Sequence, residues 1–359
     1  MRKIMRILFV LLVIAVGYIL YKDYKGKEGI RFVASMGSGI NIGNTLDSTR
    51  VRERKKDASV EYYETYWNNP PITKELFSMI QEAGFATVRI PVSWDEHMDE
   101  NGKLDDRWLD RVEEVVAYGI QEGLYVILDT HHESWLVPLP EKEVETKKKL
   151  IVLWEQIAGR FADYPEQLLF EGMNEPRTIG SEAEWRGGTK EERKVVNRLN
   201  SAFVETVRGM GGKNTQRWLI ITSYGGNHED VALTELEIPK DDKIIVTIHA
   251  YLPYDFTQNN HGTSVWSKQN KKDSEPVKKL MEMLHQSFIK NNIPVILTEF
   301  GCIDKENSKE RLAWTQYYTE QAKKNNIGYI WWDNGGDYSL MNREDYSWKE
   351  EEIVEILTR

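Results

Sequence analysis

Cysteine is almost absent from this 359-residue chain, with Cys302 as its single representative. That excludes an internal disulfide and any cysteine-based zinc site, and Cys302 reads as a small core residue. Basic residues are outnumbered, 47 Lys and Arg against 57 Asp and Glu, giving a formal net charge of −10. No Lys/Arg run interleaved with aromatics occurs in the body, so a phosphate-tracking surface is excluded and nucleic acid is not an expected partner. Linkers, low-complexity tracts and short-period repeats are also missing after the first 30 or so residues, which makes one domain the economical reading.

Long uncharged runs are missing too, with one exception. Arg2, Lys3 and Arg6 precede the uncharged stretch Ile7 to Tyr21, which Lys22 ends. A basic start followed by an apolar stretch is built for a membrane, and Ala15-Val16-Gly17 offers a small-residue cleavage site. The stretch is short against the roughly 20 residues of a spanning helix, yet apolar residues continue past the cleavage site, so a removed signal peptide and a retained anchor both stay open. Under either, the positive-inside rule places the rest of the chain outside the cytoplasm, secreted or anchored to the outer face of the membrane. Residues 1–29 are therefore set apart as signal or anchor plus spacer, with membrane association expected through residues 7–21 alone; residues 30–359 form the domain, expected to be a monomer.

In that domain, short apolar runs alternate with amphipathic stretches. The runs are Met36 to Gly43, Gly84 to Pro91, Leu124 to His132, Leu168 to Pro176, Arg217 to Gly226, Lys243 to Tyr251, Ile293 to Gly301 and Ile327 to Gly335. Helical patterns lie between them at Thr73 to Ala83, Asp105 to Glu122, Glu141 to Phe161, Thr189 to Gly209, Glu275 to Lys290, Ser308 to Asn325 and Lys349 to Leu357, with a weaker one at Asp230 to Glu237. Eight strands each followed by a connection, mostly helical, predict an α/β fold, a single (β/α)₈ TIM barrel. A doubly wound open sheet is disfavoured because no Gly-rich phosphate turn follows the first strand.

Active groups of such barrels come from the C-terminal strand ends. Here those ends carry Asn44, Arg89, His131 with His132, Asn174 with Glu175, Tyr224, His249 with Tyr251, Glu299, and Trp332 with Asp333. One strand-end Glu alone reads as readily as a rim salt bridge. Two, at the ends of the fourth and seventh strands with Arg89, histidines and Trp332 around them, are what glycosidic cleavage needs: one protonates the departing oxygen, the other attacks the anomeric carbon or activates a water.

Seven segments in order extend this reading: Gly39-Ile-Asn-Ile-Gly-Asn-Thr-Leu-Asp47, Thr87-Val-Arg-Ile-Pro-Val-Ser-Trp94, Asp129-Thr-His-His-Glu133, Phe170-Glu-Gly-Met-Asn-Glu-Pro176, Ile248-His-Ala-Tyr251, Leu297-Thr-Glu-Phe-Gly301 and Trp331-Trp-Asp-Asn-Gly335. Together they resemble glycoside hydrolase family 5, from about Met36 to Asp337. Trp67-Asn-Asn-Pro70 resembles the endoglucanase subgroup that includes xyloglucan- and mixed-linkage-active enzymes, where glycine usually fills the place of Asn68. The resemblance implies a retaining, endo-acting enzyme for β-1,4-linked glucan, with Glu175 as acid/base and Glu299 as nucleophile. It implies that Asn174 bonds the sugar 2-hydroxyl, that Arg89 and Tyr251 partner the nucleophile, that His131 and His249 line the cleaved site, and that Trp332 is a sugar platform; His132 is expected to reach a distal sugar where the strand has already bent into its loop. Burial and the second carboxylate are expected to raise the pKa of Glu175. Xyloglucan, xylan or mannan would be cut by the same chemistry. A non-catalytic surface carbohydrate binder predicts a lost carboxylate, and both are present.

No cofactor and no metal is expected. Neighbours on a strand point to opposite faces, so His131 and His132 should not chelate one ion. Trp67, Trp94, Trp135, Tyr254 and Trp266 fall in loops, where stacking on sugars and loop packing are both open. Trp154, Trp185 and Trp314 read as packing, and the charge runs Arg50 to Asp57 and Glu141 to Lys149 as solvated surface.

Overall fold

The computed structural model describes residues 26–49 and 58–359. The apolar stretch Ile7 to Tyr21 and the charge run at 50–57 lie outside the described residues. Eight parallel strands, β1 (Ser38–Asn41), β2 (Thr87–Ile90), β3 (Tyr125–Asp129), β4 (Leu168–Glu171), β5 (Leu219–Thr222), β6 (Ile244–His249), β7 (Val295–Phe300) and β8 (Gly328–Trp331), close into a barrel in sequence order. Closure is made by β8 pairing back onto β1, with Ile40 opposite Trp331.

A short helix, α1 (Glu28–Ser35), precedes the barrel. The principal helix after each strand is α2 (Lys74–Glu82), α3 (Asp106–Gln121), α4 (Glu143–Arg160), α5 (Lys190–Gly209), α6 (Asp230–Thr234), α7 (Lys271–Ser287), α8 (Ser308–Lys324) and α9 (Glu351–Thr358), with an additional short helix after β1 (Val60–Glu64) and after β6 (Tyr254–Thr257). Each strand lies inside its expected run. The runs are longer because their last residues have already turned into loops, which is where His131, Glu175 and Tyr251 stand. Helix α7 begins at Lys271, ahead of the expected Glu275, because Asn270 caps it by accepting from the Lys272 amide. Helix α5 carries a reciprocal capping box between Thr189 and Glu192.

The pleat sorts each strand's side chains between barrel lumen and helix layer. Ile127, Leu169, Ile220, Ile245, Ile296 and Ile330 cluster with Val33 and Met36, so α1 and the residue after it plug the lumen from below. Their pleat neighbours Val126, Leu128, Leu168, Phe170, Val246 and Leu297 join the larger core under the helices. Two residues further along the lumen rows come Asp129 from Ile127, Glu171 from Leu169, Thr247 from Ile245 and Thr298 from Ile296. All four are fully buried, as are Asn41 and Arg89. The lumen is thus apolar at the bottom and polar at the top, and the polar layer is the floor of the site.

Several aromatics resolve into packing. Trp94 is fully buried and donates Nε1 to the Asp129 carbonyl at 3.0 Å, and Trp266 is buried with Nε1 on the Asp273 carbonyl. Trp154 and Trp314 lie in the core, whereas Trp185 and Tyr254 are exposed. Asn68 sits at φ +63°, in the left-handed region. Glycine enters that region freely and asparagine is among the few other residues that tolerate it, so Asn68 suits the turn it occupies.

Candidate active site

Arg89, pointing up from β2, uses all its donors within the lumen. Nε donates to Glu171 Oε2 at 2.7 Å, and Nη2 to Glu171 Oε1 at 3.0 Å and Asn174 Oδ1 at 2.8 Å. Nη1 donates to Glu299 Oε1 at 2.9 Å and Asn41 Oδ1 at 3.1 Å. Asp129 Oδ2 closes the ring, 2.7 Å from Nη2. Burial works against the charge on Arg89, but the carboxylates of Glu171, Asp129 and Glu299 prevail and hold its pKa well above the ordinary value. Burial raises the pKa of Glu171 and Asp129 in spite of Arg89.

Glu299 is nearly buried. The Tyr251 hydroxyl donates to its Oε2 at 2.8 Å, opposite the Arg89 bond on Oε1. His249, at the end of β6, puts Nδ1 2.8 Å from Glu175 Oε1 and 3.6 Å from Glu299 Oε2, so one imidazole bridges the two carboxylates. Gly226 makes room for that ring: it has φ +61°, and a Cβ there would come within 3.1 Å of His249. One ligand atom from each of Glu175, His249 and Glu299 lies within 4.8 Å of the others.

The expected elevation of Glu175 is overturned in the free site. Burial does push its pKa up, but the hydrogen bond and charge of His249, together with Arg177, outweigh burial and hold it down at about 2. The pKa of His249 is raised, because Glu299 and Glu175 overcome the burial of its ring. Arg177 donates Nη1 to Glu175 Oε2 at 2.8 Å and Nε to Glu184 Oε1 at 3.0 Å, with the Trp185 ring 4.6 Å from its guanidinium carbon.

His131 is fixed by Asp129, whose Oδ2 lies 2.7 Å from Nδ1, and its Nε2 sits 3.3 Å from Asn174 Nδ2. Burial drives His131 and His132 down to about 3, so both rings are neutral. The Trp332 ring stands parallel to His131, interplanar angle 1° at 5.6 Å, and Trp67 packs edge-on against His132. The premise that His131 and His132 point apart is corrected: β3 ends at Asp129, both residues are in the loop, and their rings meet edge to face at 4.5 Å.

All nine residues singled out in the sequence, Arg89, His131, His132, Asn174, Glu175, His249, Tyr251, Glu299 and Trp332, thus gather at one barrel mouth. Three other strand-end residues do not join them. Tyr224 accepts from the Thr178 amide, Asn44 offers its carbonyl to Asn69, and Asp333 accepts from Arg343 and the Leu340 amide. Four residues of the network were passed over: Asn41, Asp129 as a charge, Glu171 and Arg177. Glu171 had a signal, since the pleat places it in the lumen two residues beyond Leu169. Arg177 had none, because its reach depends on how the loop turns after Pro176.

A closed (β/α)₈ barrel whose mouth holds two carboxylates within a few ångströms of each other, over a buried arginine, defines a glycoside hydrolase of the retaining kind. The model of the cellulase family (glycosyl hydrolase family 5) matches residues 51–338. The chain belongs to glycoside hydrolase family 5. It is 42% identical over 343 residues to the cellulase/esterase CelE of Acetivibrio thermocellus, covering 92% of this chain and 40% of that protein. It is 41% identical to endoglucanase B of Ruminococcus albus, covering 91% and 79%. Among solved structures, the GH5-4 broad specificity endoglucanase from Ruminococcus champanellensis with bound cellotriose superposes with TM-score 0.88 at 36% identity, covering 92% of this chain and 98% of that one. A GH5 xyloglucan-specific endo-beta-1,4-glucanase from a metagenomic library, also with cellotriose, gives TM-score 0.87 at 37% identity, covering 93% and 99%. The barrel is an endoglucanase-type hydrolase domain.

Proposed function

We propose that this protein cleaves internal β-1,4 bonds of glucans by double displacement, with Glu299 as nucleophile and Glu175 as acid/base. The observation that carries this reading is the spacing: oxygens of the two carboxylates lie within 4.8 Å, bridged by His249. Retaining enzymes hold their carboxyl groups about 5–5.5 Å apart, whereas inverting ones need about 6.5–9.5 Å to admit a water. Arg89 and Tyr251 occupy the two oxygens of Glu299 and so fix its direction and supply its counter-charge. Glu175 stands across the cleft to protonate the departing oxygen, then takes a proton from the water that releases the sugar. Asn174 is held by Arg89 through Oδ1, and its amide, which meets His131 Nε2 at 3.3 Å, has a second hydrogen to donate toward the sugar 2-hydroxyl. Trp332, beside His131, supplies a flat apolar face for the adjacent pyranose, and His132 beside Trp67 is suited to a more distal one.

Cellulose-like and mixed-linkage glucans are the leading substrates. Xyloglucan is the second, favoured by the likeness to a xyloglucan-specific enzyme. The N-terminal segment is read as an export signal or anchor, residues 1–29, ahead of a catalytic domain at 30–359 that acts as a monomer outside the cytoplasm. Among the described residues no helix is long and apolar enough to cross a membrane. Proton NMR of the first product from a soluble β-glucan tests the chemistry: the β-anomer should appear first, in oligosaccharides of mixed length. Initial α-anomer would overturn retention, and exclusive release of one terminal unit would overturn endo action.

A further inference from the structure

We propose that Asp47, His131 and His132 form a binding site for a divalent transition-metal ion of the zinc(II) or copper(II) class, and that the bound ion blocks the sugar cleft. One ligand atom from each of the three lies within 4.8 Å of the others. A zinc ion about 2.1 Å from each would hold them about 3.4 Å apart, so the three ligand atoms, within 4.8 Å here, would have to draw in on binding. Asp47 is fully buried; its Oδ1 accepts from the Thr45 amide at 2.8 Å, while its Oδ2 has no hydrogen-bond partner among the described residues. A buried carboxylate oxygen without a donor is costly, and a cation satisfies it.

The histidines are prepared for the same ligand. Asp129 holds Nδ1 of His131 at 2.7 Å, which turns Nε2 toward the cleft in the carboxylate–histidine arrangement that orients metal-binding imidazoles. His132 meets His131 edge to face, and an ion at His131 Nε2 would displace the 3.3 Å contact that this nitrogen makes with Asn174 Nδ2. Two imidazoles and one carboxylate suit zinc(II) or copper(II) over the all-oxygen preferences of magnesium and calcium. His131 and His132 line a cavity of about 430 Å³ together with Trp67, Glu175 and Arg177, and Asp47 is buried behind them. An ion there occupies space that a sugar needs. Among the described residues a second group has this geometry, Glu175, His249 and Glu299, but its oxygens are taken by bonds of 2.8 Å to His249 and Tyr251, whereas Asp47 Oδ2 has none.

Binding is independent of the catalytic reading; inhibition rests on it. Calorimetric titration of zinc chloride into the full chain, stripped with EDTA and exchanged into a non-chelating buffer, should give one ion per chain at micromolar affinity. Adding cellotriose should weaken that affinity, and zinc should lower the initial rate on a soluble β-glucan until EDTA restores it. His132→Ala and Asp47→Asn should each weaken binding at least about 30-fold, since losing even an outer-shell partner costs about 10–100-fold. His132, in a loop and partly accessible, remains a fair test if Asp47→Asn fails to fold. Absence of binding below millimolar zinc, or unchanged affinity in His132→Ala, would overturn the site. So would a loss confined to Glu175→Gln, which places the ion on the paired carboxylates. Zinc binding by a chain that hydrolyses no glucan when metal-free would uphold the site and overturn the catalytic reading instead.

Discussion

Arg89 Nη1 donates to Glu299 Oε1 at 2.9 Å while the rest of the same guanidinium is spent on Glu171, Asn174, Asn41 and Asp129. The proposed nucleophile is therefore fastened to the barrel lumen, and its position is set by the same layer that fills the top of the core. Fold stability and catalytic geometry share one residue.

Replacing Arg89 tests that sharing. Arg89→Met leaves Glu171 and Asp129 buried without their cation, and breaking a buried ion pair costs about 3–5 kcal/mol. A fall in melting temperature of about 10 °C is expected, measured by calorimetry, with loss of nearly all turnover. A variant that melted like the parent would show that the lumen network contributes little.

The proton on the His249–Glu175 pair sets a second expectation. In the free site Glu175 is held down at about 2 and His249 is raised, so the proton resides on the imidazole. Catalysis needs it on Glu175, and the fraction there is constant while the pair holds one proton. The basic limb of kcat/KM should thus follow loss of the pair's proton, above the ordinary imidazole value of about 6.5. In His249→Gln the limb belongs to Glu175 alone and should move to lower pH by about one unit or more. A limb that stayed in place would remove His249 from the assignment. The pair's contribution to stability has the matching signs: it is lost as pH falls through the depressed Glu175 value and as pH rises through the raised His249 value.

Backbone conformation at the mouth gives a third. Gly335 has φ +72°, and a Cβ there would lie 1.8 Å from Asn69 Oδ1. Asn69 in turn ties the Asn44 and Asn334 carbonyls at 2.9 and 3.0 Å, joining the loops after β1 and β8. Gly335→Ala should cost about 2–4 kcal/mol and raise KM, because the loop it distorts carries Trp332. Asn68→Gly should shift stability by less than about 1 kcal/mol, whereas Asn68→Val should lose about 1–2 kcal/mol at φ +63°. Thermal unfolding of the three variants decides, and equal behaviour would mean that these turns carry no strain.

The site was legible in the sequence where chemistry coincides with strand ends. Glu175 and Glu299 stand at the ends of apolar runs where a purely structural barrel has no use for a carboxylate. Glu171 was passed over because a charge inside a strand reads as an edge residue until the pleat is followed from Leu169 into the lumen. Arg177 was out of reach because a loop brings it back over its own strand, and the depressed pKa of Glu175 because it depends on how closely His249, with Arg177, meets the carboxylate. Trp94 and Trp67 look alike in sequence, yet one is fully buried on Asp129 and the other faces the cleft beside His132.

The sharpest test separates the two glutamates by their response to a small nucleophile. In Glu299→Ala no covalent glycosyl-enzyme can form, so turnover should fall by several orders of magnitude. Azide can then enter the vacated space and attack the anomeric carbon directly, giving the α-azide after one inversion. In Glu175→Ala, Glu299 is still held by Arg89 and Tyr251 and still attacks when the leaving group is a dinitrophenolate that needs no protonation. The intermediate then accumulates because no base activates water. Azide needs no base, so it should relieve that block and yield the β-azide after two inversions. An α-azide from the Glu175 variant, or a trapped 2-fluoro-glycosyl adduct in the Glu299 variant, would require the two roles to be exchanged or given up.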